Sequence, residues 1–223
     1  VYAPFPESNY LTDLNQFYLG FGFNDVMEYS SIQRFARMNG YHECKWVRAF
    51  KPGDRLKIEN LEMETMLYKG HSRASVGVLL EKEKILHIGS LGFDRSSPGA
   101  DGIGPFYGYR QCSLNRYFRD IDAARSVYTD RANFMTASHG YLVEKPDMTP
   151  FDYMEEKIRQ NQQKVDSAFK RIDPLPHSKE ETFIELMKLD LFFPKKKAYS
   201  FMVDIYTLWD YWMIRHHMAD VLF

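Results

Sequence analysis

Apolar spacing separates an α+β front segment from a largely helical remainder. Residues 1–10 mix prolines with polar side chains and read as an irregular lead-in. Residues 11–23 are aromatic and read as a first strand, closed by Gly20 and Gly22. At Asn24 the period changes. Asn24 or Asp25 can cap a helix carrying Val26, Met27, Ile32, Phe35, Ala36 and Met38, ended by Asn39-Gly40. Four strand-like segments follow without a helix between them, at 41–50, 55–67, 72–80 and 85–93. Lys51-Pro52-Gly53-Asp54 is a turn, because Pro presets φ and Gly supplies positive φ. The apolar phase shifts from Leu56 and Ile58 to Leu61 and Met63, as a bulge would cause. Ala74, Val76, Val78 and Leu80 alternate cleanly. One helix followed by an antiparallel meander predicts a helix packed on one face of a sheet.

Beyond residue 95 the pattern changes again. Arg95-Ser96-Ser97-Pro98-Gly99 opens a loop that runs to about residue 112. Leu114, Tyr117, Phe118, Ile121 and Tyr128 then fall at helical spacing. A second helix starts at Thr149-Pro150, with Met154, Ile158, Val165 and Phe169 on one face. Ser178 and Glu181 form a capping box for a third, carrying Phe183, Leu186 and Met187 and stopped at Phe193-Pro194. The last helix, from about Ser200, places Phe201, Met202, Ile205, Leu208, Trp209, Trp212 and Met213 on one amphipathic face. The expected organisation is therefore a domain at 1–95, a linker at 96–112 and a mainly helical extension at 113–223.

Composition narrows the function classes. Apolar residues at 44% and aromatics at 16% support a sizeable core and exclude a disordered chain. Lys+Arg 29 against Asp+Glu 30 leaves a net charge of -1, so no global field steers the chain to nucleic acid. Such contact would be local, at Lys195, Lys196 and Lys197, which otherwise read as a solvated linker. Two cysteines, Cys44 and Cys112, make neither a disulfide framework nor a structural zinc site and point to a reducing, intracellular compartment. No apolar run reaches the ~18–20 residues of a bilayer span. No Lys or Arg precedes Arg34, so an Arg-rich transit peptide is absent from this sequence, which leaves a mitochondrial location open.

The helix-and-meander segment resembles the hotdog superfamily, in particular the 4-hydroxybenzoyl-CoA thioesterase type. The resemblance rests on Gly22-Phe23, Asp25, Tyr29 and Phe35-Ala36-Arg37, and on Trp46 to Ile58 around Pro52-Gly53-Asp54. It implies a central helix wrapped by an antiparallel sheet of about five strands, in an α+β hotdog fold. It also implies a carboxylate that attacks a thioester or activates water, beside helix N-terminal amides. The family's aspartate position is Leu19 here and its histidine position is Phe23, which leaves Asp25 and Glu28 as candidate bases. Both also suit simple pairing with a helix N-terminus. A dehydratase would need a strand-borne histidine, but none precedes His42, and Gln33 falls one residue late.

The resemblance therefore implies a catalytically degenerate hotdog protein, a structural subunit of a larger assembly. The alternative is an active acyl-CoA thioesterase using Asp25 or Glu28, with acyl-CoA as ligand. No cofactor and no metal site are expected. Partner subunits are expected at an edge strand and at Phe201, Leu208, Trp209 and Trp212. Of the remaining motifs, Gly102 to Gly108 reads as a turn, and His216-His217 as a surface or interface pair. Tyr68-Lys69-Gly70-His71 reads as a strand junction.

Overall fold

A computed structural model describes residues 1–92, 104–139, 142–172 and 178–221. The predicted break at Arg95–Gly99 and the start of the Gly102 turn lie outside the described residues. In chain order the elements are β1 (Tyr2–Pro4), α1 (Leu14–Phe21), α2 (Tyr29–Met38), β2 (Arg48–Phe50), β3 (Arg55–Ile58), β4 (Leu61–Leu67), β5 (Val76–Leu80) and β6 (Ile85–His87). Then come α3 (Leu114–Arg131), β7 (Phe134–Thr136), β8 (Leu142–Glu144), α4 (Thr149–Phe169), α5 (Lys179–Met187) and α6 (Val203–Val221). They fall into two units with interleaved segments. The first comprises Val1–Ser8, Trp46–Phe106 and Cys112–Ile158, the second Asn9–Lys45, Tyr107–Gln111 and Arg159–Phe223.

The first unit is built on a six-stranded sheet in the order β3-β4-β5-β6-β7-β8. All neighbours run antiparallel except β6 and β7, which pair in parallel. A parallel pair needs a crossover connection, and α3 lies in it. Leu79, Leu86, Met135 and Val143 sit opposite one another across β5 to β8 and form one buried row. On α3, Leu114, Tyr117, Ile121, Ala124 and Tyr128 are buried at alternating three- and four-residue spacing, the signature of a helix with one covered face. Each large side chain so covered is worth ~1.5–3 kcal/mol. At the hairpin edge, Arg131 bonds both Glu64 and Glu81, and Arg55 pairs with the same two carboxylates. β1 and β2 form a separate parallel ribbon.

The second unit is helical and has two apolar clusters. Phe21, Phe23, Met27 and Ile32 pack with Ile205 and Leu208 of α6, flanked by Trp209 and Trp212. Val165, Ala168, Phe183 and Leu186 pack with Ile214 and Met218 of the same helix.

The fold is not a hotdog, and the reasons are local. Residues 11–23 are not a strand. Leu14, Phe17, Tyr18 and Phe21 follow helical spacing, and Asp13 caps α1 by accepting from the Asn15 and Gln16 amides. The expected central helix over 24–39 is interrupted: a 3-10 turn covers Phe23–Asp25, Glu28 is extended, and α2 begins at Tyr29. Its partners are helices and not a wrapping sheet. Residues 41–50 yield only β2, which pairs in parallel with β1. The phase shift in 55–67 is a two-residue hairpin turn at Glu59-Asn60, with Ile58 opposite Leu61 and Glu59 at φ 53, and not a bulge. The sheet is mixed, and β7 and β8 come from the segment expected to be an appended, mainly helical extension. The last helix is apolar on two sides, because it serves both clusters of its unit. The Phe201 side chain lies outside the described residues. No helix among the described residues is long and apolar enough to cross a membrane.

Candidate functional site

Strand directions bring three loops to one edge of the six-stranded sheet. The β4–β5 connection carries Gly70-His71-Ser72, the β6 exit carries Gly89-Ser90, and the β7 exit carries Ser138-His139. β6 and β7 run in parallel, so their exits share an edge, and the pairing of Val78 with His87 puts the start of β5 at that same edge. The two exits are tied together. Ile88 N–H donates to the Thr136 carbonyl at 2.8 Å, and Ser138 N–H to the Gly89 carbonyl at 3.0 Å. Gly89 has φ +58, and a Cβ there would meet the Val76 carbonyl oxygen at 2.5 Å, so the turn requires glycine.

The His71 loop is held from four places distant in sequence. Gly70 N–H donates to Asp120 Oδ2 at 2.6 Å, and Ser113 N–H donates to the Gly70 carbonyl at 2.9 Å. The Cys112 thiol donates to the His71 carbonyl, and Ala74 N–H to Glu7 Oε1 at 2.9 Å. His71 Nδ1 lies 2.8 Å from the Phe106 carbonyl oxygen. A carbonyl only accepts, so Nδ1 carries the proton and the neutral ring keeps its lone pair on Nε2. From α3, the Tyr117 hydroxyl lies 3.1 and 2.9 Å from the Ser90 and Leu91 carbonyl oxygens and donates to them. One helix thus braces two of the three loops.

The electrostatics follow from burial. His71 is pushed down to about 4 by burial, a change opposed by its bond to the Phe106 carbonyl and reinforced by nearby His139. The imidazole is therefore neutral at pH 7. Asp120 is pushed up to about 6 by burial, against the pull of the Gly70 amide, Arg116 and Lys69. Burial also raises Glu7, although Ser72 and the Ala74 amide hydrogen-bond to it.

The residues singled out from the sequence lie elsewhere. Asp25 belongs to the helical unit, where Arg110 Nη1 reaches its Oδ2 at 3.2 Å. Glu28 stands at the N-cap position of α2 without a side-chain capping bond. Lys195 bonds Asp190 at 2.5 Å and the fully buried Asp210 at 2.7 Å, which makes it a bolt of that unit and not a solvated linker residue. The Lys197 side chain lies outside the described residues. His216 and His217 are not a surface pair: His217 is fully buried, and His216 Nε2 donates to the Tyr109 carbonyl at 2.8 Å. His71, Ser90 and His139 were missed. Their available signal was a histidine beside small residues directly after a strand, in Gly70-His71-Ser72 and Ser138-His139-Gly140.

No family model matches the chain, and no curated protein matches it. Solved structures do. A metallo-beta-lactamase family protein from Thermus thermophilus superposes with a TM-score of 0.59 at 13% identity, over 99% of this chain and 65% of that one. A beta-lactamase domain protein from Burkholderia ambifaria gives 0.51 at 11% identity, over 92% of this chain and 56% of that one. The chain therefore has the metallo-beta-lactamase fold over a span shorter than two thirds of these neighbours, and the hotdog assignment is overturned. The neighbours' name implies a metal ion. Among the described residues no group of three or more His, Cys, Asp or Glu side chains is placed to hold one. His71 and His139 amount to two donors, fewer than the three or four protein ligands of zinc sites. The described residues by themselves do not fit a metal centre.

Proposed function

We propose that this chain carries the reacting end of a hydrolase that cleaves an acyl ester or amide bond, with His71, Ser90 and His139 on the working edge. The observation that supports this most is the convergence of three loops braced on one another and on α3, which sets His71 close enough to His139 for one to lower the other's pKa. Loops on a rigid sheet edge are where sites are commonly built. The neutral His71 ring, with Nδ1 committed to Phe106, carries its lone pair on Nε2, the atom that would take a proton from water. Ser90 and His139 supply polar donors for an oxyanion developing at the same edge. The amide in this proposal comes from the neighbours' beta-lactamase names, the ester from the related acyl chemistry.

The test is turnover of a chromogenic β-lactam, p-nitrophenyl esters and a p-nitrophenyl phosphodiester, each with zinc and with a chelator. We expect turnover of a lactam or ester, reduced about 10²-fold or more in kcat/KM by His71→Ala and by His139→Ala. Turnover untouched by both substitutions, or confined to the phosphodiester, would refute the assignment.

A further inference from the structure

We propose that Asp120, in the middle of α3, is a positioning residue that holds the His71 loop on the working edge. It deepens the hydrolase reading, on which only its kinetic readout rests. Gly70 precedes His71 and is gripped at both of its backbone polar groups. Its N–H donates to Asp120 Oδ2 at 2.6 Å, and its carbonyl accepts from Ser113 N–H at 2.9 Å. There is no slack between loop and helix. A Cβ on Gly70 would meet Tyr117 Cα at 2.4 Å and Tyr117 N at 2.7 Å. Ser113 at the N-cap of α3, and Tyr117 and Asp120 in its first two turns, therefore act on one residue, and the next residue in the chain is His71.

A carboxylate is an expensive side chain to keep at this place. Burial pushes Asp120 up to about 6, and the Gly70 amide, Arg116 and Lys69 only partly offset that. An apolar side chain would pack on a half-buried helix face at lower cost. What Asp120 adds is an acceptor for a buried amide, and a buried N–H left without one carries an unmet desolvation cost. That cost falls on a loop whose neighbouring anchors, Cys112 to the His71 carbonyl and His71 Nδ1 to Phe106, both depend on where Gly70 sits. The same helix holds the second loop through Tyr117. α3 thus sets the spacing between the His71 loop and the Ser90 loop, and Asp120 is its side-chain contact on the His71 side.

The experiment compares Asp120→Leu, which removes the acceptor, with Asp120→Asn, which keeps an oxygen in place, in the whole chain. The readouts are the Gly70 amide proton and the His71 ring resonances by NMR, then kcat and KM on whichever substrate the wild type turns over. We expect Asp120→Leu to shift the Gly70 amide upfield and move the His71 ring signals. It should lower kcat about 10–100-fold, the scale of supporting-shell losses, with KM changed much less. Asp120→Asn should keep both sets of resonances and most of kcat. Unmoved His71 signals in Asp120→Leu, or equal damage from Asn and Leu, would overturn the proposal. If Asp120→Leu does not fold, Gly70→Ala replaces it, because it pushes the loop from Tyr117 and leaves Asp120 intact; unchanged His71 resonances there would also overturn it. If no substrate is turned over, the hydrolase reading fails while the NMR comparison still decides the positioning role.

Discussion

His71 and His217 are both neutral imidazoles, each in a different unit, and they show how little a lowered pKa says alone. Burial drives His71 to about 4 and His217 to about 3. The settings differ. His217 is fully enclosed, and its bonds form a directed chain: Asn161 Nδ2 donates to the Tyr107 hydroxyl at 2.8 Å, which donates to His217 Nε2 at 2.8 Å, while Nδ1 donates to Gln162 Oε1 at 2.7 Å. Both nitrogens are engaged by side chains of a helical core, so this histidine is a lock for packing. His71 sits where three loops leave a sheet, with Nδ1 on a backbone carbonyl and a second histidine nearby. Perturbed groups gather at functional sites and in structural networks alike, and place in the fold separates the two.

The largest difference should appear in stability. His217→Ala takes from the Tyr107 hydroxyl its acceptor and from Gln162 Oε1 the donor that His217 supplies, in a buried network, which should cost about 2–5 kcal/mol in urea unfolding. His71→Ala should cost roughly 1 kcal/mol, since it releases one carbonyl at a loop. Equal losses would erase the distinction between lock and site.

The pH dependence of stability sharpens the comparison further. Both histidines have folded pKa values below the ordinary 6.5, so the unfolded chain binds more protons, and stability rises with pH between about 4 and 6.5. Asp120 has the opposite sign. Its folded pKa of about 6 lies above the ordinary 3.8, so its contribution is full below about pH 4 and is lost as pH rises through 6. Asp120→Asn should therefore steepen the rise of stability between pH 4 and 6, by at most about 1.4 kcal/mol per pH unit. An unchanged or shallower slope in denaturant titrations would contradict this placement of Asp120.

The smallest effect is expected away from both histidines. Arg131 bonds Glu64 of β4 and Glu81 in the turn after β5, both partly exposed. Arg131→Ala should cost about 0.2–1 kcal/mol by urea unfolding, less at high salt. It should leave the His71 resonances unmoved; a shift in them would show that the ladder helps hold the site.

The same contrast explains what could be read from the chain. Helices with a single covered face were visible: α3 from Leu114, Tyr117 and Ile121, α4 from Thr149-Pro150, and α5 from its Ser178–Glu181 capping box, which the structure contains. The Val76–Leu80 strand was visible from its alternation. α1 was misread because Phe17, Tyr18 and Phe21 are aromatic, which favours strands by composition, while their spacing is helical. The edge that carries His71, Ser90 and His139 was not legible because it is a property of sheet order. His71, Ser90 and His139 are distant in sequence, and only the parallel pairing of β6 with β7 and the hairpin before it bring their loops together. Asp25 and Glu28 stood out because a resemblance to another fold pointed at them, not because they share an edge with a histidine.

The most direct test of the account is a double-mutant cycle on kcat/KM for His71→Ala and His139→Ala, using the best ester or lactam substrate. Two side chains acting at one edge should be strongly non-additive: each single change should remove most of the activity, and the double variant should lose little more. Multiplied losses, or a double variant that keeps wild-type turnover, would show that the two histidines do not form one working site.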